Sequence, residues 1–201
     1  MTLESSLAPT TALDAVNSML RSIGQGAVNT LDEFAGADAA NAAAILTQTS
    51  REVQERGWYF NTDYDYSFLP DANGLIELPA TLLKYTPVWL ARHIVERERK
   101  LYDTKTHSFV FPQGTAVKGD VVWLFGFETL PQAARTYIHC KAGRAFQVSA
   151  VGSDLLYRFT REMEEDALAE LTRAHLGSQR PNVLYDDPFT AHRIIAGRNL
   201  Y

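Results

Sequence analysis

The chain has 201 residues, 46% of them apolar and 21% charged, enough for one sizeable core or for a core with an inserted subdomain. The formal net charge is −5 and Lys and Arg are scattered among acids, which argues against a protein that grips nucleic acid by its phosphates. A single cysteine excludes a disulfide within the chain and suits a reducing compartment, and no apolar run approaches the ~18 residues of a membrane-spanning helix.

The opening MTLESSLAPTTALDA lacks a basic start and an apolar h-region, so no secretory signal is expected. Leu13, Val16, Leu20 and Ile23 recur at helical spacing and predict a helix over 11–23, with Thr10 or Thr11 as cap and GQG at 24–26 as its end. A second, alanine-rich helix is predicted over 38–56, with Leu46 and Val53 on one face and Gly57 as its stop. The period then changes to two. In WYFNTDYDYSFL, residues 58–69, Trp58, Phe60, Thr62, Tyr64, Tyr66 and Phe68 alternate with polar residues, which predicts a strand with that face on the core. DANG (71–74) reads as a turn and LIEL (75–78) as a short returning strand. Residues 92–102 and 107–111 read as a hairpin joined through DTKT, and VKGDVVWLF (117–125) as a buried strand.

Helical pattern returns at Pro131, a residue suited to a first turn, and runs to about 151. A fourth helix is predicted over 154–175, capped by Ser153 and closed by Gly177, with Leu156, Phe159, Met163, Ala167, Leu171 and Ala174 in one stripe. The expected fold is α+β: a bundle of about four helices from 1–57 and 127–177, a β-rich insertion at 58–126, and an extended C-terminal tail at 178–201. The apolar residues of that tail, Tyr185, Phe189, Ile194, Ile195 and Tyr201, are too few to bury one another and call for a covering partner.

Cys140 follows His139 within FETLPQAARTYIHCKAGRAF, which raises the question of a thiol–imidazole pair. Neighbours on a helix diverge by about 100°, so His139 is badly placed to serve Cys140 as a base. Cys140 falls instead with Thr136, Gly143 and Gln147 on a face of mostly small residues, opposite the apolar stripe of Ala134, Ile138, Ala142, Ala145 and Phe146. That face fits close contact with another helix or another subunit. REMEEDALAE (161–170) carries Glu162, Glu164, Glu165, Asp166 and Glu170. It reads as a solvated face partnered by Arg158, Arg161 and Arg173. A paired-carboxylate hydrolase is the enzymatic alternative, and a salt-bridge surface between subunits is a third. The five histidines show no metal-ligand spacing and no CxxC accompanies them, so neither a metal nor a cofactor is expected. His175 is expected to complement the dipole of its helix end. RHIVERERK (92–100) read as a strand puts Arg97 and Arg99 on one face with His93 and Val95, either exposed or docked on a partner.

Six stretches, in order, are AVNSMLRSIGQGAVNTLD (15–32), ADAANAAAIL (37–46), REVQERGWYFN (51–61), LIELP (75–79), KLYD (100–103) and FETLPQAARTYIHCKAGRAF (127–146). Together they resemble the tail tubular protein A family of short-tailed bacteriophages, the head-to-tail adaptor, over about residues 11–176. The resemblance implies a structural virion protein with no catalytic or cofactor site, assembled in the host cytoplasm and placed at the head–tail junction. It implies a ring of about twelve copies, closed by rotation through a heterologous interface. That ring would join the portal protein to the tail nozzle protein (tail tubular protein B) and surround the exit channel. Genomic DNA would pass without specific binding, and no membrane is involved. It further implies that 178–201 reaches the portal through Tyr185, Phe189, Ile194, Ile195 and Tyr201. Residues 92–111, with Arg97, Arg99 and Tyr102, would then face the nozzle. The rival readings are a tail-associated cell-wall hydrolase using Glu162 and Glu165 of the fourth helix, and a nucleic-acid module with steeply salt-dependent affinity.

Overall fold

The computed structural model describes residues 9–32, 36–150 and 154–178. Thr11 begins α1 (Ala12–Ser22) through a reciprocal capping box. The Asp14 N–H donates to Thr11 Oγ1 at 3.1 Å and the Thr11 N–H donates to Asp14 Oδ2 at 3.1 Å, so two otherwise orphaned donors are satisfied. α2 (Ala37–Glu55) ends at Gly57, whose φ of +78° is the left-handed conformation that glycine adopts without a Cβ penalty. α3 (Gln132–Ala150) and α4 (Asp154–Ser178) complete the helical part. Its core is drawn from all four helices: Val16, Met19 and Leu20, then Ala42, Leu46 and Val53, then Ala134, Tyr137, Ile138 and Phe146, then Ala167 and Leu171. The alanines at the contacts let the helix axes approach closely while the longer side chains fill the space between.

Residues between α2 and α3 form five strands: β1 (Thr62–Phe68), β2 (Leu82–Pro87), β3 (Ile94–Arg97), β4 (Lys100–Asp103) and β5 (Val117–Trp123). β5 is central in an antiparallel sheet of order β1-β5-β2, and β3-β4 is a separate two-stranded hairpin. A second apolar cluster lies between them, with Phe68, Ile76, Leu78, Leu82, Ile94, Leu101, Phe111, Val117 and Val121. Gly119 allows the centre of β5 to lie against β2, since a Cβ there would stand 2.8 Å from the Thr86 carbonyl oxygen.

The β region departs from the alternation in four respects. Trp58 and Phe60 precede β1 and belong to the helical core. Within β1 the register against β5 shifts between Asp63 and Tyr66, because Asp65 has φ +58° and forms a bulge that re-aims the strand. Tyr64 is therefore 67% exposed and does not share the inward face of Phe68. Residues 75–78 do not return onto β1. They run beside β4, with the Leu78 N–H donating to Arg99 O at 2.8 Å and the Leu101 N–H to Ile76 O at 3.0 Å. Finally, 92–102 is not one strand. The chain reverses at Glu98 and Arg99, φ +52° and +59°, so β3 and β4 are the two arms of a hairpin. The turn predicted at DTKT (103–106) is also present, one residue later at 104–107, closed by the Asp103–Ser108 bridge.

In the helical part, Gly177 lies inside α4 rather than ending it. Met163 is 60% exposed and Ala145 is exposed, so neither belongs to the inward stripe.

The two parts meet through buried polar groups. Asn61 is 1% exposed. Its Oδ1 accepts from the Trp58 N–H at 2.8 Å, and its Nδ2 donates to Gln54 O at 2.9 Å and to Trp123 O at 2.8 Å. His175 closes the same corner: its Nδ1 accepts from the Tyr59 N–H at 3.1 Å and its ring stands edge-on to Trp58 at 5.5 Å. Its role is thus a tertiary contact between α4 and the chain entering β1.

Candidate assembly surfaces

The small-residue face of α3 turns towards α1 and α4 of the same chain. A Cβ on Gly143 would lie 4.0 Å from Met19 Cγ. Cys140 is half-buried against the helical core. Thr136 Oγ1 accepts from Gln132 Nε2 at 3.2 Å within α3. Gln147 Oε1 is buried and accepts no hydrogen bond among the described residues. Cys140, Gly143 and Gln147, but not Thr136, line a pocket of about 130 Å³ together with Ser18, Met19, His139, Thr160 and Met163. Burial, with the Arg21 charge adding to it, pushes the His139 imidazole below its ordinary value. Burial, with the Glu164 charge adding to it, pushes the Cys140 thiol up. A thiol held in its protonated form is a poor nucleophile, so the pair lacks the electrostatics of a catalytic dyad.

On the insertion, the hairpin separates the residues that sequence placed together. Arg97 stacks on Tyr102, its Cζ 4.1 Å from the ring centroid, and Tyr102 meets Phe109 edge-on at 4.8 Å. Arg99 turns elsewhere. Its Nη1 donates to Leu82 O at 3.0 Å and pairs with Glu96 at 3.2 Å, and its Nη2 donates to Pro79 O. Arg99 therefore braces the turn, while Arg97 and Tyr102 share an accessible face. Sequence reasoning missed a neighbouring feature, the 3-10 turn Trp89–Ala91. Trp89 is 71% and Leu90 87% exposed, and the Arg92 guanidinium sits 3.3 Å above the Trp89 ring. The signal was Pro87 breaking the strand immediately before an apolar VWLA run.

The acidic run of α4 is held in ion pairs. Glu164 pairs with Arg144 of α3, Glu165 with Arg161 at 2.7 Å, and Glu170 with Arg173. Arg144 had not been expected as a partner. Glu162 and Asp166 are exposed, and neither Glu162 nor Glu165 lines the α1–α3–α4 pocket. Nor do they line the groove between α2 and α3, about 460 Å³ and bordered by Ile45, Ala145, Val148 and the Lys141–Glu52 pair at 3.3 Å. The enclosed carboxylate pair that glycoside hydrolysis uses is not formed by these two residues.

Among the described residues no three His, Cys, Asp or Glu side chains gather as a metal site, and no helix is long and apolar enough to cross a membrane. Tyr185, Phe189, Ile194, Ile195 and Tyr201 lie outside the described residues, as does Ser153.

Residues 13–181 match the family model described as tail tubular protein. No curated protein matches the chain.

Proposed function

Because the chain belongs to the tail tubular protein family, and is thus a structural protein of the phage tail, we propose that it is the head-to-tail adaptor. In this reading, copies of the chain form a closed ring between the portal protein and the nozzle protein, and DNA leaves through the ring. The observation that carries the proposal is the family match across 13–181, which spans both the helical part and the insertion.

Three features support it. A ring needs two different complementary faces on each subunit, and the α2–α3 groove and the outer charged face of α4 offer surfaces of different chemistry. The insertion carries accessible aromatic–guanidinium pairs, Arg97 on Tyr102 and Arg92 on Trp89, of the residue types enriched at protein interfaces. These belong to the nozzle side in this reading. The net charge of −5 disfavours retention of passing DNA. Residues 178–201 reach the portal, and Tyr185, Phe189, Ile194, Ile195 and Tyr201 are buried there. Burial of these apolar residues on the portal would favour ring growth there over growth in free solution.

The test is co-sedimentation with the portal ring encoded by the same genome, followed by native mass measurement, for the full chain and for a chain ending at 177. Addition of a ring of copies by the full chain alone supports both the adaptor role and the role of the tail. Failure of both forms to bind overturns the portal assignment.

A further inference from the structure

We propose that the groove between α2, the start of α1 and the connection from β5 to α3 seats this chain's own N-terminal segment, residues 2–8, with Glu4 meeting Arg51. The inference is independent of the adaptor reading. The groove holds about 360 Å³, and its walls include Ala12, Leu46, Arg51, Leu124, Phe125 and Phe127. Its floor is apolar. Leu46 is buried, Leu124 and Phe127 are half-buried, and Phe125 is 41% exposed. Gln54 bonds the Phe125 main chain in both directions, so the ring is held at the groove. Covering such a surface removes apolar area from water.

Continuity points to the occupant. Ala12, the first residue of α1, is itself part of the wall. The chain before it is anchored there: the Thr10 N–H donates to Gln132 Oε1 at 3.0 Å and the Ala12 N–H to Glu128 Oε1 at 2.8 Å. Residues 1–8 lie outside the described residues and lead directly into this anchored point. Glu4 is eight residues before Ala12, an extended reach of about 27 Å, whereas Leu46 and Arg51 are about 8 Å apart along α2.

Charge and pattern agree. Among the described residues, Arg51 is the only charged side chain on the groove wall. It is exposed and makes no hydrogen bond or ion pair with another described residue. Glu4 is the only charged side chain of residues 2–8. Ala8 precedes Pro9, which favours an extended approach. In an extended segment Leu3, Ser5 and Leu7 share one face and Glu4 turns aside. Two leucines then meet the apolar floor while the carboxylate reaches the exposed guanidinium.

The experiment is NMR on the isotopically labelled full chain. Nuclear Overhauser contacts from the Leu3 or Leu7 methyls to the Phe125 ring are expected. Their absence would overturn the proposal, as would contacts from Ile194 or Ile195 to that ring, which would give the groove to the C-terminal segment. A chain lacking residues 2–8 should show shifted amides at Thr81, Phe125 and Gly126, all remote in sequence from the deletion. Arg51→Glu and Glu4→Arg should each shift the same amides, and the two combined should restore them. If unlabelled full chain added to the labelled shortened chain restores the shifts, the segment seats on a second copy and docking within one chain is overturned. The unmodified chain decides the matter even if a variant fails to fold.

Discussion

The side chain of Gln54, in the last turn of α2, pairs with the main chain of Phe125 in both directions. The Phe125 N–H donates to Gln54 Oε1 at 2.8 Å, and Gln54 Nε2 donates to Phe125 O at 3.0 Å. Gln54 is fully buried. It acts as a one-residue strand at the exit of β5, and with Asn61 it fixes how the insertion leaves and re-enters the bundle. Gln54→Leu keeps the bulk but strands both main-chain groups, so a loss of about 2–4 kcal/mol is expected. Urea unfolding measures it, and a loss below about 0.5 kcal/mol would show that the pairing does not hold the joint.

Asn61 separates acceptor from donor. Asn61→Asp keeps the oxygen that accepts from Trp58 but turns a second oxygen towards Gln54 O and Trp123 O, which need donors. Asp should therefore be no better than Ala at this site, although it is the closer isostere. Both variants are expected to lose about 2–4 kcal/mol. Combined with Gln54→Leu, their effects should be non-additive, since the residues share a network.

Two glycines should respond in opposite senses. Gly119→Ala drives a methyl to 2.2 Å from Tyr85 Cε2 and 2.8 Å from the Thr86 carbonyl oxygen. The carbonyl belongs to the β2 backbone and cannot swing away, so a loss of about 1–3 kcal/mol or more is expected. Gly143→Ala meets only Met19 Cγ at 4.0 Å and removes backbone freedom within α3. It should stabilise the fold by about 0.5–1 kcal/mol. Thermal unfolding of both variants reads the signs directly.

Two groups set distinct acid-dependent regions. His139 is shifted down, chiefly by burial. The unfolded chain binds its proton first, so stability falls as pH drops below the ordinary imidazole value of 6.5 and levels once the folded form also protonates. His139→Gln should flatten that limb.

Asp14 is lowered, chiefly by the Thr11 hydroxyl. Its contribution is present above the ordinary value of 3.8 and is lost as pH falls through the folded value. Asp14→Asn should therefore destabilise at neutral pH, with the gap narrowing below pH 3.8. Equilibrium unfolding across pH separates the two effects.

Arg97 offers a test of the nozzle side. Arg97→Ala removes an exposed contact on Tyr102 and should change stability by less than about 0.5 kcal/mol. Under the adaptor reading it weakens binding to the nozzle protein, measurable by calorimetry. Unchanged affinity would remove Arg97 from that interface.

The sequence by itself determined the helices, the central buried strand and the family. Helical periodicity and capping are written within a few residues of where they act: Thr11 and Asp14 are three apart, and β5 declares itself by the apolar run VVWLF (121–125) that begins in its second half. The bulge at Asp65 and the reversal at Glu98 and Arg99 were hidden because aspartate, glutamate and arginine occupy left-handed positions there, where glycine or asparagine would have been the local signal. The hairpin turn is held by Arg99 reaching back to Pro79 and Leu82. The joint was equally invisible, because Gln54 and Phe125 are 71 residues apart and Tyr59 and His175 are 116 apart. Only tertiary structure decided which polar side chains were buried, since burial depends on what the rest of the chain brings over them. The Arg144–Glu164 pair and the pocket between α1, α3 and α4 follow from that same long-range packing of α3 against its neighbours.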